Sequence, residues 1–335
     1  MNIREQSEQL EHQILSPYAA FADQSKGRAL DETPCEIRTA FQRDRDRIIH
    51  CKAFRRLKHK TQVFLSPEGD HYRTRLTHTL EVSQIARTIA SALRLNEYLT
   101  EAIALGHDLG HTPFGHAGEA ALNDLISGGF RHFEQSVRVV ERLEKNGQGL
   151  NLTYETKNGI LCHTRGKYAD TLEGQIVRIA DRIAYINHDI DDAIRGGIIS
   201  EQDISEEITD TLGHTTAQRI NTLVLSLIQH SQNGVLAMDT TVQKQFDRLH
   251  DFMFEAVYNS KPVVHETQKI PFLMENLYRY FMKHQDRLPK EITALKDTDE
   301  RAVCDYLAGM TDHYAVELFK EIYVPKSWKK SLPFF

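Results

Sequence analysis

His107-Asp108-Leu109-Gly110-His111-Thr112-Pro113-Phe114-Gly115-His116-Ala117-Gly118-Glu119 decides how this chain is read. The stretch holds three histidines and two carboxylates in a loop broken by glycine and proline. His78 lies upstream and Asp181 downstream, each on a segment with helical periodicity, so the metal-type ligands run in the order H…HD…D. Imidazole and carboxylate together make a ligand set for a divalent ion, and an open position on such an ion can activate water at neutral pH. The pattern points to metal-assisted hydrolysis. A lone histidine on an apolar helix face is more often structural. The ordered set His78, His107, Asp108, Asp181 weighs more, because burying aspartate beside histidine without a cation is expensive. The mixed shell implies one divalent ion (Mn, Mg, Fe, Co, Ni or Zn) in preference to Ca.

Outward from this loop the apolar period is mostly helical. Arg75–Leu95 carries Leu76, Leu80, Ile85, Ile89 and Leu93 at helical steps, while His78, Val82, Ile85 and Ile89 also share one side, so His78 is expected to point inward. Leu99–Leu109 predicts a helix ending at His107-Asp108. Gln175–Ile194 predicts a third, with Ile176, Ile179, Ala180, Ile183 and Ile190 as its core stripe. Asp181, Tyr185 and Asp189 fall at i, i+4 and i+8 beside that stripe, which suits a helix bordering a cavity. Residues 196–216 read as a loop with a weak helix; Gln218–His230, Val242–Tyr258 and three segments between about 270 and 323 read as further helices. The expected fold is mainly α, divided into an N-terminal arm (1–34), a catalytic core (35–200) and a helical C-terminal region packed on it (201–335).

At 335 residues, with 40% hydrophobic and 26% charged side chains, the chain can bury a sizeable core like an ordinary globular protein. No apolar run reaches the length of a membrane span, and the polar start MNIREQSEQLEHQ lacks a secretory apolar region. Cys35, Cys51, Cys162 and Cys304 are far apart and form no CxxC, which fits free thiols in a reducing cytoplasm. A net charge of −6 argues against general nucleic-acid binding without excluding a local phosphate site or weak nucleic-acid contact.

Residues 38–60 nevertheless hold nine Lys/Arg against two acids. The alternating signs in Arg43-Asp-Arg-Asp-Arg47 favour local ion pairs. Arg56 and Lys60, one turn apart, are better candidates for phosphate, and Arg75 lies on the same helix face as His78. His116 and Glu119 are three apart where a helix opens, a spacing that lets a carboxylate hold a general acid or base, although a glutamate there also caps helices. His111 and His132 are candidates for the same pocket.

These residues resemble a known family. His78, His107-Asp108 and Asp181 are similar to the metal ligands of HD-domain phosphohydrolases. Residues 38–50, 53–63, Thr74-Arg-Leu-Thr-His78 and the loop from His107 to Glu119 resemble bacterial deoxyguanosine triphosphate triphosphohydrolase-like proteins. The similarity runs from about Ser16 to Ile199 and returns around Phe252–Tyr258 and Pro325–Trp328. The resemblance implies an HD-domain helical fold with additional C-terminal helices and cleavage of a dNTP to deoxynucleoside and intact triphosphate, with water attacking the α-phosphorus. It implies His116 and Glu119 as the catalytic pair, and His111, His132 and Arg75 around the phosphates; Arg182, next to Asp181, is a further phosphate candidate, as Lys60 is by its spacing from Arg56. It implies Gln62, Tyr185 and Asp189 at the sugar, Tyr185 against the deoxyribose and Asp189 at its 3′-hydroxyl. It also implies a homo-oligomer and leaves open a dNTP effector at a second site. Residues 200–250 match nothing in that pattern. Two other readings stand beside it: an HD-type hydrolase of nucleoside monophosphates or cyclic nucleotides, and a nucleotide-sensing or nucleic-acid-binding protein with a relict site.

Overall fold

A computed structural model describes residues 1–62, 73–164 and 166–326. The elements are α1 (Ile3–Ile14), α2 (Ala40–Ile49), α3 (Lys52–Arg56), α4 (Arg75–Ala92), α5 (Glu97–Gly106), α6 (Gly115–Leu125), α7 (His132–Arg138), α8 (Tyr154–Leu161) and α9 (Leu172–Arg195). They continue with α10 (Glu206–Leu212), α11 (Thr216–His230), α12 (Thr240–Met253), α13 (Lys261–Thr267), α14 (Ile270–Lys283), α15 (Lys290–Thr293), α16 (Asp299–Ala308) and α17 (Asp312–Tyr323). Among the described residues, β pairing is limited to isolated bridges such as Arg28–Thr153 and Thr61–Thr74. The fold is mainly α, as the periodicity predicts.

Short polar residues set the helix starts. Thr74 caps α4 by accepting from the Thr77 N–H, Asn96 caps α5 and Thr171 caps α9. Three apolar clusters then fix the helices relative to one another. The first joins α4, α5 and α9 to α10–α12 through Val82, Ile89, Ile103, Ile183, Leu223 and Phe246. The second wraps α14 and α16 around α6 through Leu122, Met274, Phe281 and Leu307. The third packs Ile48, Leu57, Leu105 and Ile160 beneath the end of α5. The C-terminal helices are therefore shared between two of the clusters.

On α4 the buried side is that of His78, Val82, Ile85 and Ile89; Leu80, expected in the stripe, is 52% exposed. The reason is tertiary: α5 and α9 both pack on the His78–Ile89 side, leaving Leu80 outside. Two glycines allow close approaches that matter below. A Cβ on Gly159 would lie 2.4 Å from Ile103 Cδ1, so α8 can lie against α5. A Cβ on Gly110 would lie 2.1 Å from the Ser136 nitrogen, so the loop after His107 can touch α7.

Candidate active site

Six elements bring their polar side chains to one cavity of about 1060 Å³. Helix α4 presents His78 one turn after its cap, and α5 ends at His107, so Asp108 starts the loop. Helix α9 lines the wall with Asp181, Arg182, Tyr185 and Asp189. His116 stands in the first turn of α6, and His132 is the first residue of α7. The far wall comes from α12 and the π-helical turn that extends it, Phe254–Tyr258, with Asp247, His250, Phe254 and Tyr258.

At the floor, the His78 Nε2 is 2.9 Å from Asp181 Oδ1, and the His107 Nε2 is 3.5 Å from Asp108 Oδ1 and 3.9 Å from Asp181 Oδ1. Ligand atoms around one ion at about 2.1 Å are separated by roughly these distances. His107 Nδ1 donates to the Ala104 carbonyl at 2.6 Å, which fixes the proton there. Its Nε2 is buried without a hydrogen-bond partner and faces two carboxylate oxygens. A second proton or a cation has to stand at that lone pair. The nearby nitrogen and oxygen donors favour the cation: His78, His107 and Asp108 form one group that could hold an ion, and His107, His163 and Asp181 form another that shares His107. Arg75 orients the set: its Nη1 donates to Asp108 Oδ2 at 2.7 Å, leaving Oδ1 toward His107. Burial disfavours the Asp108 charge, yet His107 and Arg75 hold this carboxyl well below its ordinary range.

Above the floor lies an imidazole cluster around Glu119. The carboxylate accepts from the His132 backbone N–H and from His132 Nδ1, each at 2.9 Å, and from His116 Nδ1 at 3.2 Å. Burial would raise the Glu119 pKa, but these donors take it below the usual carboxylate range. Glu119 thus holds His116 and also bonds the first N–H of α7, a different helix from the one its own segment opens. The His116 side chain is 77% exposed at the cavity rim. His111 stacks on His132 at 4.2 Å, and burial beside Arg75 and His132 pushes its pKa well down, leaving it neutral.

The remaining expected residues are placed as follows. Gln62 lines the cavity, and its Oε1 is buried with no partner among the described residues. Asp189 accepts from the Tyr258 hydroxyl at 2.6 Å, and burial pushes its pKa up to about 7. Arg182 reaches the cavity but is paired with Asp247 at 2.7 Å and lies over the Phe246 ring. Lys60 is not brought to the cavity. Its buried amine donates to the His111 carbonyl and, at 2.8 Å, to the Ala308 carbonyl, behind the loop, and burial pushes its pKa down to about 7. Arg56 likewise donates to the Gly309 carbonyl. Of the rest of the basic stretch, Arg38, Arg43, Arg47, Lys52 and Arg55 line a separate cleft of about 450 Å³, with Arg38 on Asp46 and Arg43 and Arg47 on Glu32, while Arg45 pairs with Asp46 and Glu101.

Several cavity residues escaped the sequence reading, His163, His250 and Tyr258 among them. His163, at the end of α8, donates from Nδ1 to the Ile160 carbonyl at 2.7 Å and sets Nε2 3.2 Å from His132 Nε2. Burial beside His107 and His132 pushes its pKa down to about 3, so it is neutral and its ligand atom lies near those of His107 and Asp181. No spacing in the sequence singles it out. His250 and Tyr258 were legible in principle: with Phe254 they repeat the i, i+4, i+8 spacing of Asp181, Tyr185 and Asp189.

Residues 75–186 match the HD domain, and residues 236–321 match the phosphohydrolase-associated domain, so part of the region without a sequence parallel has relatives after all. A solved phosphohydrolase from Bacteroides thetaiotaomicron shares the fold with a TM-score of 0.52 at 18% identity, over 82% of this chain and 67% of that one. A hypothetical protein from Aquifex aeolicus does so with a TM-score of 0.50 at 20% identity, over 85% and 69%. Fold and site define the class, that of the HD-domain phosphohydrolases. A deoxyguanosinetriphosphate triphosphohydrolase-like protein of Caldanaerobacter subterraneus subsp. tengcongensis is 57% identical over 98% of both chains. One of the same description from Clostridium perfringens is 49% identical over 97% of this chain and 99% of its own. The chain belongs to this deoxyguanosinetriphosphate triphosphohydrolase-like family.

Proposed function

We propose that the protein hydrolyses deoxynucleoside triphosphates to deoxynucleoside and inorganic triphosphate, using one divalent ion held by His78, His107, Asp108 and Asp181. The supporting observation is the joining, in one cavity of about 1060 Å³, of the His/Asp cluster, the His116–Glu119 pair and the Tyr185–Asp189 wall. That volume suits a nucleotide. When bound, a divalent ion stabilises charge on a phosphoryl oxygen and eases the ionisation of water.

The chain's own groups do the rest. A water oxygen bonds to the α-phosphorus, the bond from that phosphorus to the 5′-oxygen breaks, and the 5′-oxygen leaves with a proton. His116 gives that proton from Nε2, because its Nδ1 is held by Glu119. His132 and His111 stand beside the phosphates. The Tyr185 ring crowds C2′ and rejects a 2′-hydroxyl by shape, and Asp189, held by Tyr258, bonds the 3′-hydroxyl. Gln62 offers its unpartnered Oε1 to a substrate donor. Incubating the protein with each dNTP and Mn²⁺ and identifying the phosphorus product tests the reading: triphosphate supports it, and pyrophosphate or orthophosphate sinks it.

A further inference from the structure

The turn between α16 and α17 contributes nothing to the cavity lining, yet the catalytic loop is tied to it repeatedly. Asp312, buried at the start of α17, is the centre of these ties. Its Oδ1 accepts the Phe114 N–H at 2.9 Å; its Oδ2 accepts the Thr61 N–H at 2.9 Å and the Thr61 hydroxyl at 2.5 Å. Lys60 adds a bridge from the His111 carbonyl to the Ala308 carbonyl, and Arg56 holds the Gly309 carbonyl.

These bonds fall where the backbone is least able to hold itself. Phe114 has φ +64°, a left-handed conformation that costs a non-glycine residue about 1 kcal/mol or more, and Gly115 follows at φ +58°. No side chain of the Phe114 cap position accepts from α6. Such a conformation persists only when its surroundings over-determine it. On the other side, a Cβ on Gly115 would lie 3.0 Å from Arg75 Nη2 and 3.1 Å from the Gln62 carbonyl, the group to which Arg75 Nη2 donates at 3.3 Å. Asp312 therefore clamps two segments: Thr61-Gln62, which meets Arg75, and Phe114-Gly115, which aims the first turn of α6 with His116.

We propose that Asp312 is a positioning residue of the active site, fixing the start of α6 and with it the direction of His116 and Glu119. The inference rests on the reading of that pair as the proton-handling groups. It gives the α16–α17 hairpin a part in turnover and none in metal retention, since Asp312 makes no bond to His78, His107, Asp108 or Asp181.

The test uses the full chain with Asp312→Asn and Asp312→Ala. Asp312→Ala should lower kcat on the order of 10²-fold, the scale of a misplacement of about 1 Å. KM and manganese bound per chain should stay near those of the unaltered protein, and hydrogen exchange at the Phe114 amide should speed up. Thr61→Val, which removes only the hydroxyl bond, should give a smaller fall in kcat and keeps the question decidable if the Asp312 variants do not fold. Ala315→Gly serves as control: it loosens the buried side of α17 without touching the loop, and should lower Tm while sparing kcat. Asp312→Asn, whose amide oxygen can still accept the Phe114 N–H, should fall between the unaltered protein and Asp312→Ala; the inference is overturned if exchange at Phe114 is unchanged in Asp312→Ala, if kcat survives faster exchange, or if Ala315→Gly slows turnover as much. Absence of any dNTP turnover in the unaltered protein would count against the proposed function, and the Phe114 exchange would still decide whether Asp312 holds the loop.

Discussion

His107 carries two instructions in one ring: Nδ1 bonds the Ala104 carbonyl of its own helix, and Nε2 is left aimed at Asp108 and Asp181. Removing a carboxylate from that arrangement removes charge as well as a donor. Asp181→Ala should abolish metal retention, read as metal per chain after purification, and a variant keeping full metal and full activity would sink the ligand assignment. His116 stands apart from the floor, with its side chain 77% exposed. His116→Ala should therefore keep its metal and fold while turnover slows by about 10²-fold or more; joint loss of metal and activity would make it a ligand instead. The H…HD…D residues were legible as ligand candidates, because ligand chemistry is a property of residue type and order. The destinations of the cations were not. Arg75 is engaged by Asp108 and Lys60 by two carbonyls from distant segments, and only the tertiary fold decides which oxygen a long side chain meets. His163 was hidden for the same reason, since the close packing at Gly159 that sets α8 against α5 leaves no mark in spacing.

At the scale of elements, the polar face of α9 was readable from Asp181, Tyr185 and Asp189; the wall opposite it carries the same spacing at His250, Phe254 and Tyr258, but that it faces α9 follows only from the fold. Helix α12 passes into a π-helical turn, and this carries Tyr258 onto Asp189. That contact sits in a buried place, and burial pushes the Asp189 pKa up to about 7, against about 3.9 in an unfolded chain. The folded state thus binds this proton more tightly than the unfolded state. Its contribution to stability is fullest below about pH 4 and is lost as pH rises to about 7. Asp189→Asn cannot lose a proton and escapes that penalty. In thermal melts without added metal, the Tm of Asp189→Asn relative to the unaltered protein should climb from pH 4 to pH 7 and then level off. A difference that stays flat across this window would mean that Asp189 is not held protonated by its burial.

At the scale of the molecule, three apolar clusters meet around one cavity, and each controls a different part of it. The first sets the floor through α4, α5 and α9 and carries the far wall through α12; the second, with α14 and α16, holds α6; the third packs beneath the end of α5, where His107 and Asp108 follow. The helical class was legible from periodicity, while this meeting of clusters depends on contacts between residues far apart in sequence. On the proposed reading the substrate is constrained, because the residues assigned to the sugar and to the metal lie on one helix. Tyr185 comes one turn after Asp181, so a deoxyribose near the ring keeps its 5′-oxygen and α-phosphorus near the floor. Attack at that phosphorus leaves the three phosphates joined. The phosphorus product should therefore be intact triphosphate, and dGTP should be cleaved faster than GTP because a 2′-hydroxyl meets the ring. Tyr185→Ala removes the obstacle and should narrow the dGTP/GTP ratio of kcat/KM, mainly by raising the rate with GTP. Phosphorus NMR of the reaction tests the first half and paired dGTP and GTP rates test the second. Pyrophosphate with a monophosphate as products, or GTP cleaved as fast as dGTP by the unaltered protein, would remove the geometric basis for the assignment, since the first displaces the attacked bond and the second leaves the Tyr185 ring nothing to exclude.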